Sequence, residues 1–127
     1  MNKVIFSWIF AVAAFGFCGN VFAQNSVEEA IEIGVSEHKD VLVIFTAPWC
    51  KYCHVFKNEA DKGSVDLSEY IVYYADIDKY PEFKDKYQVG TVPDFRVFRE
   101  RKPIAKKLGF VLEEFKNWLK KWRIRNK

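Results

Sequence analysis

Along this chain short apolar runs alternate with amphipathic stretches, and the spacing of apolar residues separates one kind from the other. Val27, Ala30, Ile31 and Val35 recur at helical intervals, which predicts a first helix ending near His38. Ser26 is placed to cap that helix, with Glu29 three residues on to close a capping box. Val41 to Thr46 is a continuous apolar, β-branched-rich run, the pattern of a strand buried on both faces in an α/β sheet. Cys50 to about Ala60 reads as a second helix with Val55 and Phe56 turned inward. A break at Lys62-Gly63-Ser64 precedes a short helical turn over Asp66 to Tyr70, then a second buried strand, Ile71 to Ala75. Asp76 and Asp78 are expected to cap the helix that follows, with Pro81 in its first turn and its end near Tyr87. Phe95-Arg96-Val97-Phe98 alternates apolar and charged residues, which predicts a strand with one wet face. Arg101-Lys102-Pro103 reads as a turn, Ile104 to Leu108 as a return strand, and Gly109 as a break. Glu113 to Arg123 is then a last helix whose stripe of Phe115, Trp118, Leu119 and Trp122 faces the core. The expected order is α-β-α-β-α-β-β-α.

The first residues follow a different pattern. Lys3 precedes an almost uninterrupted apolar stretch from Val4 to Phe17, and Val21-Phe22-Ala23 offers small residues where a signal peptidase reads. Residues 1–23 are therefore expected to be a cleaved signal peptide, and 24–127 a single domain. The apolar stretch is shorter than the roughly 20 residues a membrane-spanning helix needs. Cys18 falls inside this segment and is set aside as chemistry. The formal charge of +3 over 127 residues is too mild to argue for a nucleic-acid partner. Beyond residue 23 only Cys50 and Cys53 remain, three apart, where a disulfide scaffold would spread its cysteines over distant loops.

Those two cysteines carry the chemistry. The apolar run ends in Ala47-Pro48-Trp49-Cys50-Lys51-Tyr52-Cys53, where a strand gives way to a helix. Cys50 would then lie at the helix N-terminus, whose free N–H groups and positive dipole end favour a thiolate. The thiolate is the nucleophile of disulfide exchange, so Cys50 is the candidate attacking group and Cys53, one turn deeper, the resolving one. Lys51 beside Cys50, and His54 four residues after it when protonated, would add positive charge that favours the thiolate. Reduced Cys50 is expected to titrate below the free-cysteine value of ~8.5. Trp49 and Tyr52 would rim the site as an apolar landing surface.

The chain resembles the thioredoxin family over nearly all of residues 24–127. Phe45-Thr46-Ala47-Pro48-Trp49-Cys50-Lys51-Tyr52-Cys53 matches one signature of that family, and Tyr87-x-Val89-x-x-Val92-Pro93 followed by a strand matches another. The resemblance implies a thioredoxin fold: a single α/β domain with a central mixed sheet flanked by helices. It implies that Pro93 is the family's cis-proline beside the dithiol and that the backbone of Val92 pairs with a substrate strand. It also implies protein thiol or disulfide clients, a redox-active Cys50–Cys53 pair in place of any cofactor, and a membrane-embedded redox partner for an exported member. Two positions depart from the pattern. The family's buried acid falls at Ile44 and its lysine partner at about Tyr74, so a water, His54 or Lys57 would have to assist the second thiol. The expectation is a monomeric thiol–disulfide oxidoreductase, bacterial, and periplasmic or secreted.

Two other readings compete. A non-catalytic binding or chaperone module of the same fold would account for the lost acid at Ile44. Cys50-Lys51-Tyr52-Cys53-His54 is also a C-x-x-C-H string, which in an exported protein can mark covalent c-type haem attachment. Against haem, the chain beyond residue 23 has no methionine, leaving His38 as the distal candidate, and a buried strand precedes the motif. A metal at Cys50, Cys53 and His54 lacks a placed fourth ligand.

Overall fold

The structure is a computed structural model that describes residues 26–124. The expected signal peptide, its cleavage point and Cys18 lie outside the described residues. Among the described residues no helix is long and apolar enough to cross a membrane.

Among the described residues eight elements follow in the expected order: α1 (Val27–Glu37), β1 (Asp40–Thr46), α2 (Lys51–Asp61), β2 (Tyr70–Asp76), α3 (Glu82–Lys86), β3 (Asp94–Arg99), β4 (Lys102–Leu108) and α4 (Leu112–Ile124). The sheet order is β2-β1-β3-β4. β1 runs parallel to β2 and antiparallel to β3, and β3 is antiparallel to β4. The sheet is thus mixed, as the thioredoxin fold requires.

β1 is the middle of the molecule because its five residues from Val41 to Phe45 are all buried. Successive side chains of a strand leave on opposite faces. Val41, Val43 and Phe45 therefore join Val27 and Ala30 of α1 and Phe83 of α3 in one core. Leu42 and Ile44 join Phe56 of α2 and Phe115 and Leu119 of α4 in the other. Phe56 is the hub of the second core, with ring centroids 4.9 Å from Phe95, 5.1 Å from Phe115 and 5.3 Å from Phe110.

Several local expectations are corrected. Val55 is exposed, since the inward stripe of α2 runs through Cys53 and Phe56 at an i, i+3 spacing that leaves Val55 to one side. Asp66 to Glu69 forms a turn instead of helix, with the Asp66 carboxylate accepting from the N–H and hydroxyl of Ser68, and Tyr70 already opens β2. β2 is an edge strand, so Ile71 to Tyr74 are only half-buried. β3 has no wet face. It lies between β1 and β4, and Arg96 is drawn in by the fully buried Asp94, which accepts from Arg96 Nε at 3.0 Å and Nη2 at 2.9 Å. The β3–β4 turn is Glu100-Arg101, both at positive φ, while Lys102 and Pro103 belong to β4. Positive φ at both central residues matches the twist of a two-residue hairpin. Pro103 is tolerated because β4 is an edge strand. The first helix also has a feature that periodicity does not reveal: Gly34 is buried so close to β1 that a Cβ there would lie 2.3 Å from Val41 Cγ2.

Candidate active site

The carboxyl end of β1 delivers the chain to the site. Thr46-Ala47-Pro48-Trp49 leaves the sheet, the N–H of Cys50 bonds the carbonyl of Ala47 at 3.1 Å, and α2 starts. Cys50 is the N-cap of α2, and its sulfur accepts the backbone N–H of Cys53 at 3.2 Å. A side-chain acceptor is what the free N–H groups of a first turn require, so sequence position and helix geometry put the sulfur where negative charge is favoured. Cys50 and Cys53 are joined as a disulfide, with Cα atoms 5.2 Å apart. Each residue is 5% exposed, so Cys53 is no deeper than Cys50 by this measure.

The rim is apolar and open. Trp49 is 67% exposed and Tyr52 56% exposed. The Trp49 indole is held by a hydrogen bond from its Nε1 to Asp78 Oδ2 at 2.9 Å, so an exposed ring keeps a defined position. Neither Asp76 nor Asp78 caps the following helix, whose N-cap is Pro81 with no side-chain hydrogen bond. Asp76 instead closes the turn after β2, its Oδ1 accepting the N–H groups of Asp78 and Lys79 at 2.8 and 3.0 Å. Lys51 is exposed, with its ammonium 6.0 Å from the centroid of the Tyr52 ring. His54 is engaged with Pro48: its Nε2 lies 2.7 Å from the Pro48 carbonyl, and a carbonyl only accepts, so this nitrogen donates. The two sulfurs are bonded to each other and His54 Nε2 to Pro48, so the three side chains of the C-x-x-C-H string are already engaged.

The second signature meets the first in space. Val92 packs against the core cluster that contains Cys50 and Cys53. The Val92–Pro93 peptide bond is cis, and the buried Pro93 carbonyl accepts the N–H of Gly109 at 2.9 Å. Arg96 reaches back from β3 to the carbonyl of Gln88 at 3.4 Å, so the Asp94–Arg96 pair ties together both ends of the loop that carries Val92 and Pro93. This tie was not legible in the sequence, where Arg96 reads as a charge on the wet face of its strand and Asp94 stands outside the predicted run.

Beside Cys53 opens a cleft of about 230 Å³, lined by Thr46, Ala47, Pro48, Cys53, His54, Lys57, Tyr74 and Asp76. Ile44 and Tyr74 are register partners on β1 and β2, and Thr46 and Asp76 are partners one side-chain repeat further on. Lys57 stands over the Tyr74 ring, its ammonium 5.3 Å from the centroid. Burial, followed by the charge of Asp61, pushes the Tyr74 phenol above its ordinary value, so it stays neutral at physiological pH.

A strand-to-helix disulfide on a mixed sheet defines the class: an α/β protein whose working part is a pair of thiols. The family model described as Thioredoxin matches residues 21–121, and the chain belongs to that family. The thioredoxin of Mycoplasmoides gallisepticum is 28% identical over 87 residues, covering 68% of this chain and 87% of its own. A chloroplastic thioredoxin Y2 of Arabidopsis thaliana is 33% identical over 79 residues, 61% of this chain and 46% of its own. Among solved structures, oxidised thioredoxin from Plasmodium falciparum superposes with a TM-score of 0.63 at 23% identity, over 77% of this chain and 93% of that one. A poplar thioredoxin h gives a TM-score of 0.68 at 19% identity, over 74% and 85%. The protein is a thiol–disulfide oxidoreductase of the thioredoxin family, and protein thiols are its class of substrate.

Proposed function

We propose that the protein is an exported oxidoreductase, working in a bacterial periplasm as a monomer, that exchanges disulfides with client proteins through Cys50 and Cys53. What chiefly supports this reading is the sulfur of Cys50 at the cap of α2, accepting an N–H beside the exposed rings of Trp49 and Tyr52. In the reducing direction the Cys50 thiolate attacks a client disulfide and forms a mixed disulfide, expelling one client thiolate. Cys53, as thiolate, then attacks the Cys50 sulfur, forms the internal disulfide and expels the second client sulfur. In the oxidising direction the same steps run backwards. Trp49, Tyr52, Val92 and Pro93 hold the client, with the Val92 backbone pairing to an extended segment. Lys51 tunes the thiolate by its charge, and His54 stands beside it on the same helix. The Val4–Phe17 run and Val21-Phe22-Ala23 support export, and a membrane-embedded redox partner is the counterpart such a location needs. Insulin reduction by the reduced protein, lost in Cys50→Ser, tests the exchange. Absence of turnover in the wild type defeats it. Thiol trapping of Cys50 and Cys53 in cells then gives the direction, reduced for a reductant and oxidised for a disulfide donor.

A further inference from the structure

Cys53 must lose a proton before it can attack, and the acid its family keeps deep in the sheet is here Ile44. We infer that Asp76 takes that proton across the cleft beside Cys53, with Lys57 as the balancing cation; the inference rests on the exchange reaction proposed above. The sheet register places the carboxylate near the thiol. Thr46 and Asp76 follow Ile44 and Tyr74 by one repeat on the same face, so the carboxylate has moved one side chain toward the end of the sheet where the disulfide lies. Asp76 is the one carboxylate lining the cleft.

The neighbours leave it that task. From α2, His54 already donates to Pro48 through Nε2, and Lys57 presents an ammonium. Lys57 is four residues after Cys53 and so shares its helical face. From β2, Tyr74 is a neutral phenol. In the turn after β2, Asp78 is held by Trp49, and Lys79 gives Asp76 only its backbone N–H. Asp76 Oδ1 is oriented by two N–H groups, and the cleft is large enough for several waters to link it to the thiol. In the step, the Cys53 S–H bond breaks and its proton passes to the carboxylate. The sulfur keeps the electron pair and forms a bond to Cys50, and the Cys50–client bond breaks with its pair leaving on the client sulfur. The carboxylic acid then returns the proton to solvent.

Rapid mixing of reduced protein with oxidised glutathione, quenched in acid and read by intact mass, separates the two stages. Formation of the glutathione adduct reports Cys50, and its decay reports Cys53. In Asp76→Asn, which keeps the acceptor oxygen of the turn, formation is expected to stay within about twofold of wild type. Adduct decay is expected to slow roughly 10-fold or more near pH 6.5 and to converge on wild type toward pH 9, where hydroxide takes the proton. Lys57→Met is expected to slow decay as well, by a smaller factor. Decay and pH profile equal to wild type in Asp76→Asn overturn the inference, as does an equal slowing of both stages, which would mark a structural role. A wild type that forms no adduct overturns the exchange reaction itself, and this assignment with it.

Discussion

The proposed chemistry turns on a single sulfur. Cys50 is an N-cap whose side chain accepts an N–H, and a helix N-terminus favours an anion there. Reduced Cys50 is expected to titrate below ~8.5 by thiolate absorbance, and a value at or above it would count against the enzyme reading. Another residue couples acidity to stability. Glu28, in the first turn of α1, is partly buried, which opposes its ionisation. Contacts from Lys86, the Tyr87 hydroxyl, its own backbone N–H and the Ser26 hydroxyl outweigh this and hold its carboxyl down to about 2 from the usual 4.5. A depressed folded-state value stabilises above the unfolded value and is lost as pH falls, so the contribution fades between pH 4.5 and about 2. Half of the side chain faces water, so its worth is under about 1 kcal/mol. Glu28→Gln is expected to lower the urea midpoint at pH 7 and to leave it unchanged near pH 2; equal loss at both would show that charge is not the cause.

At the scale of elements, two junctions set the stability. α1 lies against β1 only because position 34 has no side chain. Gly34→Ala is expected to cost about 1–3 kcal/mol in denaturant unfolding, partly recovered by trimming Val41 to Ala in the same chain. No recovery would mean that the clash is relieved elsewhere. On β3, the buried Asp94 depends on Arg96, with Lys106 a distant second at 4.0 Å. Arg96→Met leaves a buried carboxylate almost unpaired, and the expected loss is about 3–5 kcal/mol. Asp94→Asn in that background is expected to regain part of it. The guanidinium also stacks on the Phe45 ring, 4.9 Å from its centroid, so the same substitution is expected to loosen the Val92–Pro93 loop and weaken client binding.

For the whole molecule, thiolate charge and fold are one thermodynamic system. A thiolate stabilised by α2 favours the reduced form, so the couple is expected to be more oxidising than about −270 mV on equilibration against glutathione. By the same linkage, the reduced protein is expected to be the more resistant to denaturant wherever the fold favours the dithiol more than the unfolded chain does. A lower potential, or a reduced form that unfolds first, would show that the folded environment favours the disulfide instead.

Local pattern sufficed for the order of the elements, the buried first strand and the helix beginning at the dithiol, because each depends on residues within a few positions. Cys50 and Cys53 were legible for the same reason: their spacing is one helical turn. The tertiary structure decided what depends on neighbours distant in sequence. β2 proved an edge and β3 a central strand because strand order is set by pairing, not by composition. That placement buried Asp94, which the alternating run did not include, and drew in Arg96, which alternation alone puts in water. It also set Asp76 on the face and at the end of the sheet where Cys53 lies, a meeting of residues 23 positions apart that comes from the parallel register of β1 and β2.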